Sequence, residues 1–269
     1  DYALASFTYK TAVPTATIPV ISAVVDDQPG ITGVVSSGGS SNDTSLQLSG
    51  SADAGALIRI YNDEKEIGNT TANSNGLWTF TASGLQDGST YNFKATATNS
   101  GGVESAKTAA WSITIDTTAP NKPLISSVAD NAGLITGPVI SGGVSDDTSL
   151  ELSGTADVGS TVRIYDGSAL LDEFQASSAS WTRTISNLSN GRTYNFRATA
   201  SDANGNTSAF SDPYQVRIDT SAAGASDIPQ ITSVVDDQGA ITGSVANNGF
   251  SDDTILVISG TGQANTPLD

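Results

Sequence analysis

Three copies of one motif, spaced about one hundred residues apart, constrain the fold of this chain more than any other feature. The copies begin at Pro19, Pro123 and Pro229, with steps of 104 and 106 residues. Trp78 and Trp181 lie one such step apart as well. A repeat of this length is far longer than a solenoid unit, and it matches one independently folding β-sandwich domain.

Within each repeat the apolar residues alternate with a period of two, as expected for strands that bury one face. The segments L-I-R-I-Y from Leu57 and Y-N-F-K-A-T-A-T from Tyr91 show this alternation. Clusters of Gly, Asn, Asp and Ser separate the segments at short intervals, which predicts turns. We therefore predict an all-β chain of tandem immunoglobulin-like β-sandwich domains arranged as a linear rod, with Tyr91 and Tyr194 at tyrosine corners.

The repeat step divides the chain into four parts. We predict the tail of a preceding Ig-like repeat over residues 1–14, complete repeats over 15–119 and 120–222, and the opening strands of a further repeat over 223–269. The last part lacks most strands of a sandwich, so we expect it not to bury a complete core. The short connection that contains Pro120 and Pro123 restricts bending between neighbouring repeats.

Composition removes several functional classes. The chain has no Cys, His or Met, which excludes disulfides, thiol nucleophiles, imidazole bases and most zinc chemistry. Its 28 acidic and 11 basic residues give a formal net charge of −17, so we expect no nucleic-acid partner. The sequence has no run of eighteen apolar residues and no charged-then-apolar leader, so we expect no membrane insertion and no signal peptide.

Three sets of acidic or amide residues recur at the repeat step. The first set closes the first strand, the second precedes the second strand, and the third ends the last strand. Their members are Asp26, Asp27, Asp130, Asp236 and Asp237; Asn42, Asp43, Asp146, Asp147, Asp252 and Asp253; and Asp116 and Asp219. A single Asp in a turn often caps backbone amides. Adjacent carboxylates, however, repel by about 1 kcal/mol or more near a surface unless a cation lies between them.

These sets are therefore candidate calcium ligands, because calcium prefers oxygen. A further calcium site is predicted between successive repeats, from Asp116 on one side and Asp202, with Asp157 or carbonyl groups, on the other. The chain contains an internal comparison for this site. Lys10 occupies the position of Asp116 in the preceding tail, and the loop that matches Asp202 in the following repeat offers Asn99. Both halves of the site are lost together, as an ion shared by two repeats predicts.

An enzyme is not expected, since acidic sets that recur in every repeat would have to form a catalytic site in triplicate. Glycosidases do work with carboxylates alone, which is the enzymatic alternative for such residues. Exposed aromatic rings would favour a carbohydrate-binding module. Trp78 and Trp181 alternate with polar residues in strand-like segments, so we expect both rings in the core.

Three segments together resemble the bacterial Ig-like repeats of giant non-fimbrial adhesins. They are I-T-I-D-T-T-A-P from Ile113, S-G-T-A-D-V-G-S-T-V-R-I-Y from Ser153 and S-D-A-N-G-N-T-S from Ser201. The resemblance implies type I secretion, a calcium-bound rod on a Gram-negative surface, and attachment to a host-cell glycan or protein through the parent adhesin. Two roles stay open for this segment: a stalk that projects attachment, or repeats that contact a carbohydrate or receptor directly.

Overall fold

The computed structural model describes residues 15–30, 32–133, 136–221, 230–240 and 242–261. All regular structure in these ranges is β, in 21 strands, and none of the described residues belongs to a helix that would cross a membrane. The chain separates into two compact units. The first comprises Asp1–Pro120 with Ser201–Ser208, and the second comprises Asn121–Ala200 with Ala209–Asp269.

The first repeat is a sandwich of two sheets, one with the strand order β2-β1-β4-β7 and one with the order β3-β9-β8-β5-β6. Its strands are β1 (Val20–Asp26), β2 (Gly33–Val34), β3 (Gly39–Ser41), β4 (Ser45–Ser51), β5 (Leu57–Asn62), β6 (Lys65–Thr71), β7 (Leu77–Ser83), β8 (Thr90–Thr98) and β9 (Trp111–Ile115). Strands β3 and β9 pair in parallel. Alternate residues of both sheets, such as Leu48, Ile58 and Phe93, are fully buried between them.

The second repeat has the same topology, with the sheet orders β11-β10-β13-β16 and β12-β18-β17-β14-β15. Its strands are β10 (Leu124–Asp130), β11 (Gly137–Val139), β12 (Gly143–Ser145), β13 (Leu150–Thr155), β14 (Thr161–Asp166), β15 (Ala169–Gln175), β16 (Ser180–Ile185), β17 (Thr193–Ser201) and β18 (Tyr214–Ile218). Strands β12 and β18 pair in parallel, like β3 and β9. The predicted all-β, Ig-like sandwich fold is thereby confirmed.

A third sheet, of order β20-β19-β21, follows the same pattern in β19 (Gln230–Asp236), β20 (Gly243–Ser244) and β21 (Val257–Thr261). Several of its apolar side chains stay exposed: Ile231 is 69% and Ile258 62% accessible. The predicted domain boundaries remain predictions, and the predicted tail at residues 1–14, with Lys10, lies outside the described ranges.

Trp78 and Trp181 lie in the cores of the two sandwiches and are only 2% and 6% exposed, as predicted. Each ring packs directly on a glycine of the neighbouring strand. A Cβ atom at Gly50 would lie 2.5 Å from the Trp78 ring, and one at Gly154 would lie 2.3 Å from the Trp181 ring. This contact explains why glycine recurs at positions 50 and 154, and it leaves neither ring available to a ligand.

Tyr91 and Tyr194 form the predicted tyrosine corners. The Tyr91 hydroxyl accepts a hydrogen bond from the Gln86 amide at 2.9 Å, and the Tyr194 hydroxyl accepts one from the Ser189 amide at 2.7 Å. These bonds fix the loop that enters the sixth long strand of each sandwich.

Candidate metal centre

The first two acidic sets meet at one end of the first sandwich. Asp26 ends β1, Ser41 ends β3, and Asp43 lies two residues before β4. The Ser41 hydroxyl donates a hydrogen bond to Asp26 Oδ2 at 2.5 Å and accepts one from the Asp43 amide at 3.1 Å. Asp26 is 3% exposed and Asp43 is fully buried. We call such a group an Asp-Ser-Asp cluster.

The same Asp-Ser-Asp cluster recurs in the second and third repeats. Ser145 Oγ donates to Asp130 Oδ2 at 2.5 Å and accepts from the Asp147 amide at 3.1 Å. The third cluster consists of Asp236, Ser251 and Asp253, with corresponding distances of 2.6 and 3.0 Å. Sequence reasoning identified the acids but missed the serine. The available signal was a Ser immediately before each Asn-Asp or Asp-Asp pair.

Burial and like charge act together on these acids. Burial raises the pKa of Asp43; hydrogen bonds from the Ser45 and Asp27 amides oppose this effect, and repulsion from Asp26 and Asp27 adds to it. Burial likewise raises the pKa of Asp130, against the hydrogen bond from Ser145, with added repulsion from the two acids at 146 and 147. Among the described residues, no Lys or Arg forms an ion pair with a cluster carboxylate. The carboxyl groups of the clusters therefore have no protein cation as an ion-pair partner among the described residues.

Several oxygens of these clusters, or of a residue next to them in the sequence, are buried without a hydrogen-bond partner. They are Asn42 Oδ1, Asp147 Oδ2, Asp236 Oδ1 and Asp253 Oδ2. A buried acceptor without a donor costs about 1–3 kcal/mol, which a bound cation would remove. The atoms that could bind a metal here are all oxygens, which are the ligands that calcium prefers. In the described part of the chain no three carboxylates converge to hold a metal on their own, so an ion would also need amide, hydroxyl or carbonyl oxygens.

Asp146 and Asp252 approach the loop that follows the first strand of their repeats. A Cβ atom at Gly133 would lie 2.7 Å from Asp146 Oδ2, and one at Gly239 would lie 2.7 Å from Asp252 Oδ2. The Ala240 amide donates to Asp252 Oδ2 at 2.9 Å. The first repeat has Asn42 and Pro29 at the corresponding positions. The carboxylate thus occurs where a glycine leaves room for it.

The third acidic set lies beside the clusters in both sandwiches. The Asp116 amide donates to the Ser41 carbonyl at 2.8 Å, and the Asp219 amide donates to the Ser145 carbonyl at 2.8 Å. Hydrogen bonds from Ser221 and the charge of Arg217 lower the pKa of Asp219. Asp219 therefore already has a cationic partner.

Asp116 and Asp202, which the sequence predicts in one site, both belong to the first compact unit. Asn206 Nδ2 donates to the Asp116 carbonyl at 2.7 Å and to Asp202 Oδ2 at 2.8 Å, while Asn204 Nδ2 donates to Asp116 Oδ2 at 2.9 Å. Sequence reasoning missed both amides. The signal was their replacement in the first repeat, at Gly101 and Val103.

Asp157 does not join this group by any direct hydrogen bond among the described residues. It accepts hydrogen bonds from the Asn121 amide at 2.8 Å and from Asn121 Nδ2 at 3.1 Å. These bonds tie down the connection that precedes β10, which is the turn-capping role that a single Asp often has. Asp27 and Asp237 are exposed beside their clusters.

Comparison with known proteins agrees with the fold. Residues 15–117 match the model of a family described as a bacterial Ig-like domain. Because the second repeat carries the same motifs at the same step, the likeness to bacterial Ig-like repeats extends to it. No curated protein matches the sequence.

Three solved structures match this chain at low sequence identity and low TM-score. The BSP domain of a biofilm-associated protein is 20% identical over 69% of this chain, with a TM-score of 0.25, and this chain spans 29% of its length. The FN1–FN3 domains of chicken CNTN1 are 13% identical, with coverage of 76% and 68% and a TM-score of 0.38. Domains from titin are 15% identical, with coverage of 72% and 66% and a TM-score of 0.38.

Proposed function

We propose that this chain is a calcium-stiffened spacer of Ig-like repeats within an exported bacterial adhesin. The observation that carries the proposal is the recurrence of the Asp-Ser-Asp cluster in three successive repeats. A catalytic site is needed once, whereas an ion that stabilises a repeat is needed in each. The bacterial Ig-like match over residues 15–117 supports a bacterial surface protein. Type I secretion, the Gram-negative surface and attachment to host cells follow from the resemblance of the repeat motifs.

Calcium would act on the loops that close one end of each sandwich. Without calcium, no cation offsets the burial of Asp43 or its repulsion from Asp26 and Asp27. An ion bound only by the native state stabilises that state by mass action, by about 2.7 kcal/mol at a hundred times its Kd. Our hypothesis is that the chain is loosely folded where calcium is scarce and becomes stiff outside the cell.

Calorimetry tests the ion. We expect calcium titrated into the chelator-treated chain to bind and to raise its Tm, and Asp147→Asn to remove one binding equivalent because it neutralises a buried carboxylate at the second cluster. Asp53→Asn is the matched control, since Asp53 is exposed in a turn outside every cluster. If calcium gives neither heat nor a Tm shift, the acids are turn caps and the calcium part of the proposal is wrong.

Small-angle scattering tests the spacer role separately. A stiff spacer has one long maximum dimension in millimolar calcium, and its distance distribution broadens in excess chelator. The substitution Asp116→Ala removes the carboxylate that accepts a hydrogen bond from Asn204. We expect it to broaden the distance distribution even with calcium. An identical profile in all three conditions would contradict stiffening by calcium.

A further inference from the structure

A groove opens in the first repeat between β6 and β7, which are the edge strands of its two sheets. Its volume is about 560 Å³, within the range of small-ligand sites. Apolar and polar groups both line it, among them Asn62, Lys65, Ile67, Phe80, Ser83 and Tyr91. Phe80, Ile67 and Tyr91 are half-buried, while Lys65 and Ser83 are exposed. The groove thus joins an aromatic wall to an accessible polar rim.

Phe80 lines this groove because of the glycine opposite it. A Cβ atom at Gly68 would lie 2.5 Å from the Phe80 ring, so the ring rests directly on the β6 backbone. Any larger residue at position 68 would move the ring. The pair of Gly68 and Phe80 therefore sets the shape of the groove.

The second repeat has an ion pair at the corresponding positions. Register places Asp172 and Arg183 at the positions of Gly68 and Phe80. Arg183 donates to both carboxylate oxygens of Asp172, at 2.6 and 3.2 Å, and its guanidinium lies 4.9 Å from the centre of the Phe174 ring. A bidentate ion pair of this kind fixes both side chains. The same fold thus carries a charged pair in this region of the second repeat, where the first repeat has a glycine and an aromatic ring.

Hydrogen-bond donors at the groove are free to meet a ligand. Three of the four cations in the described part of the first repeat, Arg59, Lys94 and Lys107, pair with carboxylates, whereas Lys65 forms no ion pair there. Asn62 Oδ1 accepts a hydrogen bond from the Asn92 amide, and its NH2 group has no partner among the described residues. The second repeat has Ala169 in place of Lys65.

We propose that this groove binds a carboxylated sugar, of the size of one or two hexuronic acid residues. The aromatic and aliphatic wall would contact the apolar face of the sugar ring. The Lys65 ammonium would pair with the carboxylate, and the Asn62 amide and Ser83 hydroxyl would bond to ring hydroxyls. This ligand site is independent of calcium, and it adds recognition to the spacer role.

Ligand-observed NMR and calorimetry on the whole chain test the site, with glucuronic acid, glucose and benzoic acid as probes. We expect glucuronic acid to bind at least fivefold more tightly than either of the others, since only it combines a carboxylate with ring hydroxyls. Lys65→Ala should weaken it at least fivefold. Gly68→Asp with Phe80→Arg should abolish binding, because it installs the ion pair of the second repeat. Lys122→Ala, which removes a paired cation away from the groove, is the matched charge control.

The proposal is overturned if glucuronic acid binds more weakly than about 10 mM, or if the double variant binds it like wild type. If glucose binds as tightly as glucuronic acid and Lys65→Ala has no effect, the ligand is not recognised by its carboxylate. If benzoic acid binds as tightly as glucuronic acid, the ligand is not recognised as a sugar. Circular dichroism and Tm report whether the double variant folds. If it does not fold, the surface variant Lys65→Ala decides alone.

Discussion

At the scale of the residue, the Ser41 hydroxyl organises two acids that repel each other. The hydroxyl donates a hydrogen bond to Asp26, and its oxygen accepts a hydrogen bond from the Asp43 amide. The two aspartates are thereby held next to one buried serine. Burial raises the pKa of Asp43. A raised pKa in the folded state means that the stabilising contribution is fully present at low pH. It is lost as pH rises through the folded pKa, because the carboxyl group must then ionise where it is poorly solvated.

The substitution Asp43→Asn tests the cost of ionising this carboxyl group, because Asn has nearly the same size and shape but no charge. In chelator at pH 7 we expect the variant to have a Tm a few degrees above wild type, because the amide needs no ionisation. The gain should vanish below the ordinary carboxyl pKa of 3.8, where both side chains are neutral. In calcium the order should reverse, since the variant has lost a ligand. Scanning calorimetry across this pH range, with and without calcium, measures these three differences in Tm. A gain in Tm that does not depend on pH would show that ionisation of Asp43 is not its cause.

At the scale of the element, the loop at residues 201–208 is held by side-chain amides. Asn206 joins the Asp116 carbonyl to the Asp202 carboxylate, and an isolated bridge pairs Ser201 with Thr207. Each such hydrogen bond contributes about 0.5–1.5 kcal/mol. The order of this loop therefore depends in part on the Asn206 side chain.

Asn206→Val, which installs the residue of the first repeat, should free this loop. We expect amide hydrogen exchange over residues 201–208 to accelerate about tenfold, as the loss of roughly 1.4 kcal/mol implies. Asn73→Val is the comparison, because Asn73 caps only its own turn and should leave the loop unchanged. Unchanged exchange in Asn206→Val would show that the loop is ordered by other contacts.

The elements also show what a sequence of this kind reveals. The alternation in β5 and β8 predicted both strands, because each buries its alternating apolar residues. Strands β3 and β12 have three residues each, too few to alternate, and they exist because they pair with β9 and β18, more than seventy residues later. The acidic sets were predictable because they recur at the repeat step. Their contact at Ser41 was not predictable, because it depends on contacts between residues far apart in the sequence. That contact depends on where β3 ends beside β1.

At the scale of the whole molecule, the net charge of −17 acts on every repeat. Like charges oppose the compact state, and salt screens them over about 10 Å at 0.1 M. Raising sodium chloride from about 10 mM to about 0.5 M should therefore raise the Tm of the calcium-free chain by a few degrees. With calcium bound the rise should be smaller, because the buried acids are already neutralised. Thermal scans that show the same salt dependence in both states would contradict this.

The parallel pairing of β9 with β3 has a mechanical consequence. Three residue pairs, from Gly39 with Ile113 to Ser41 with Ile115, join the last strand of the first sandwich to a strand near its beginning. Tension applied through the two ends of the repeat pulls parallel neighbours in opposite directions along their length. The bonds between them are then loaded together in shear, and a sandwich joined in this way resists being pulled open until all of them give way at once.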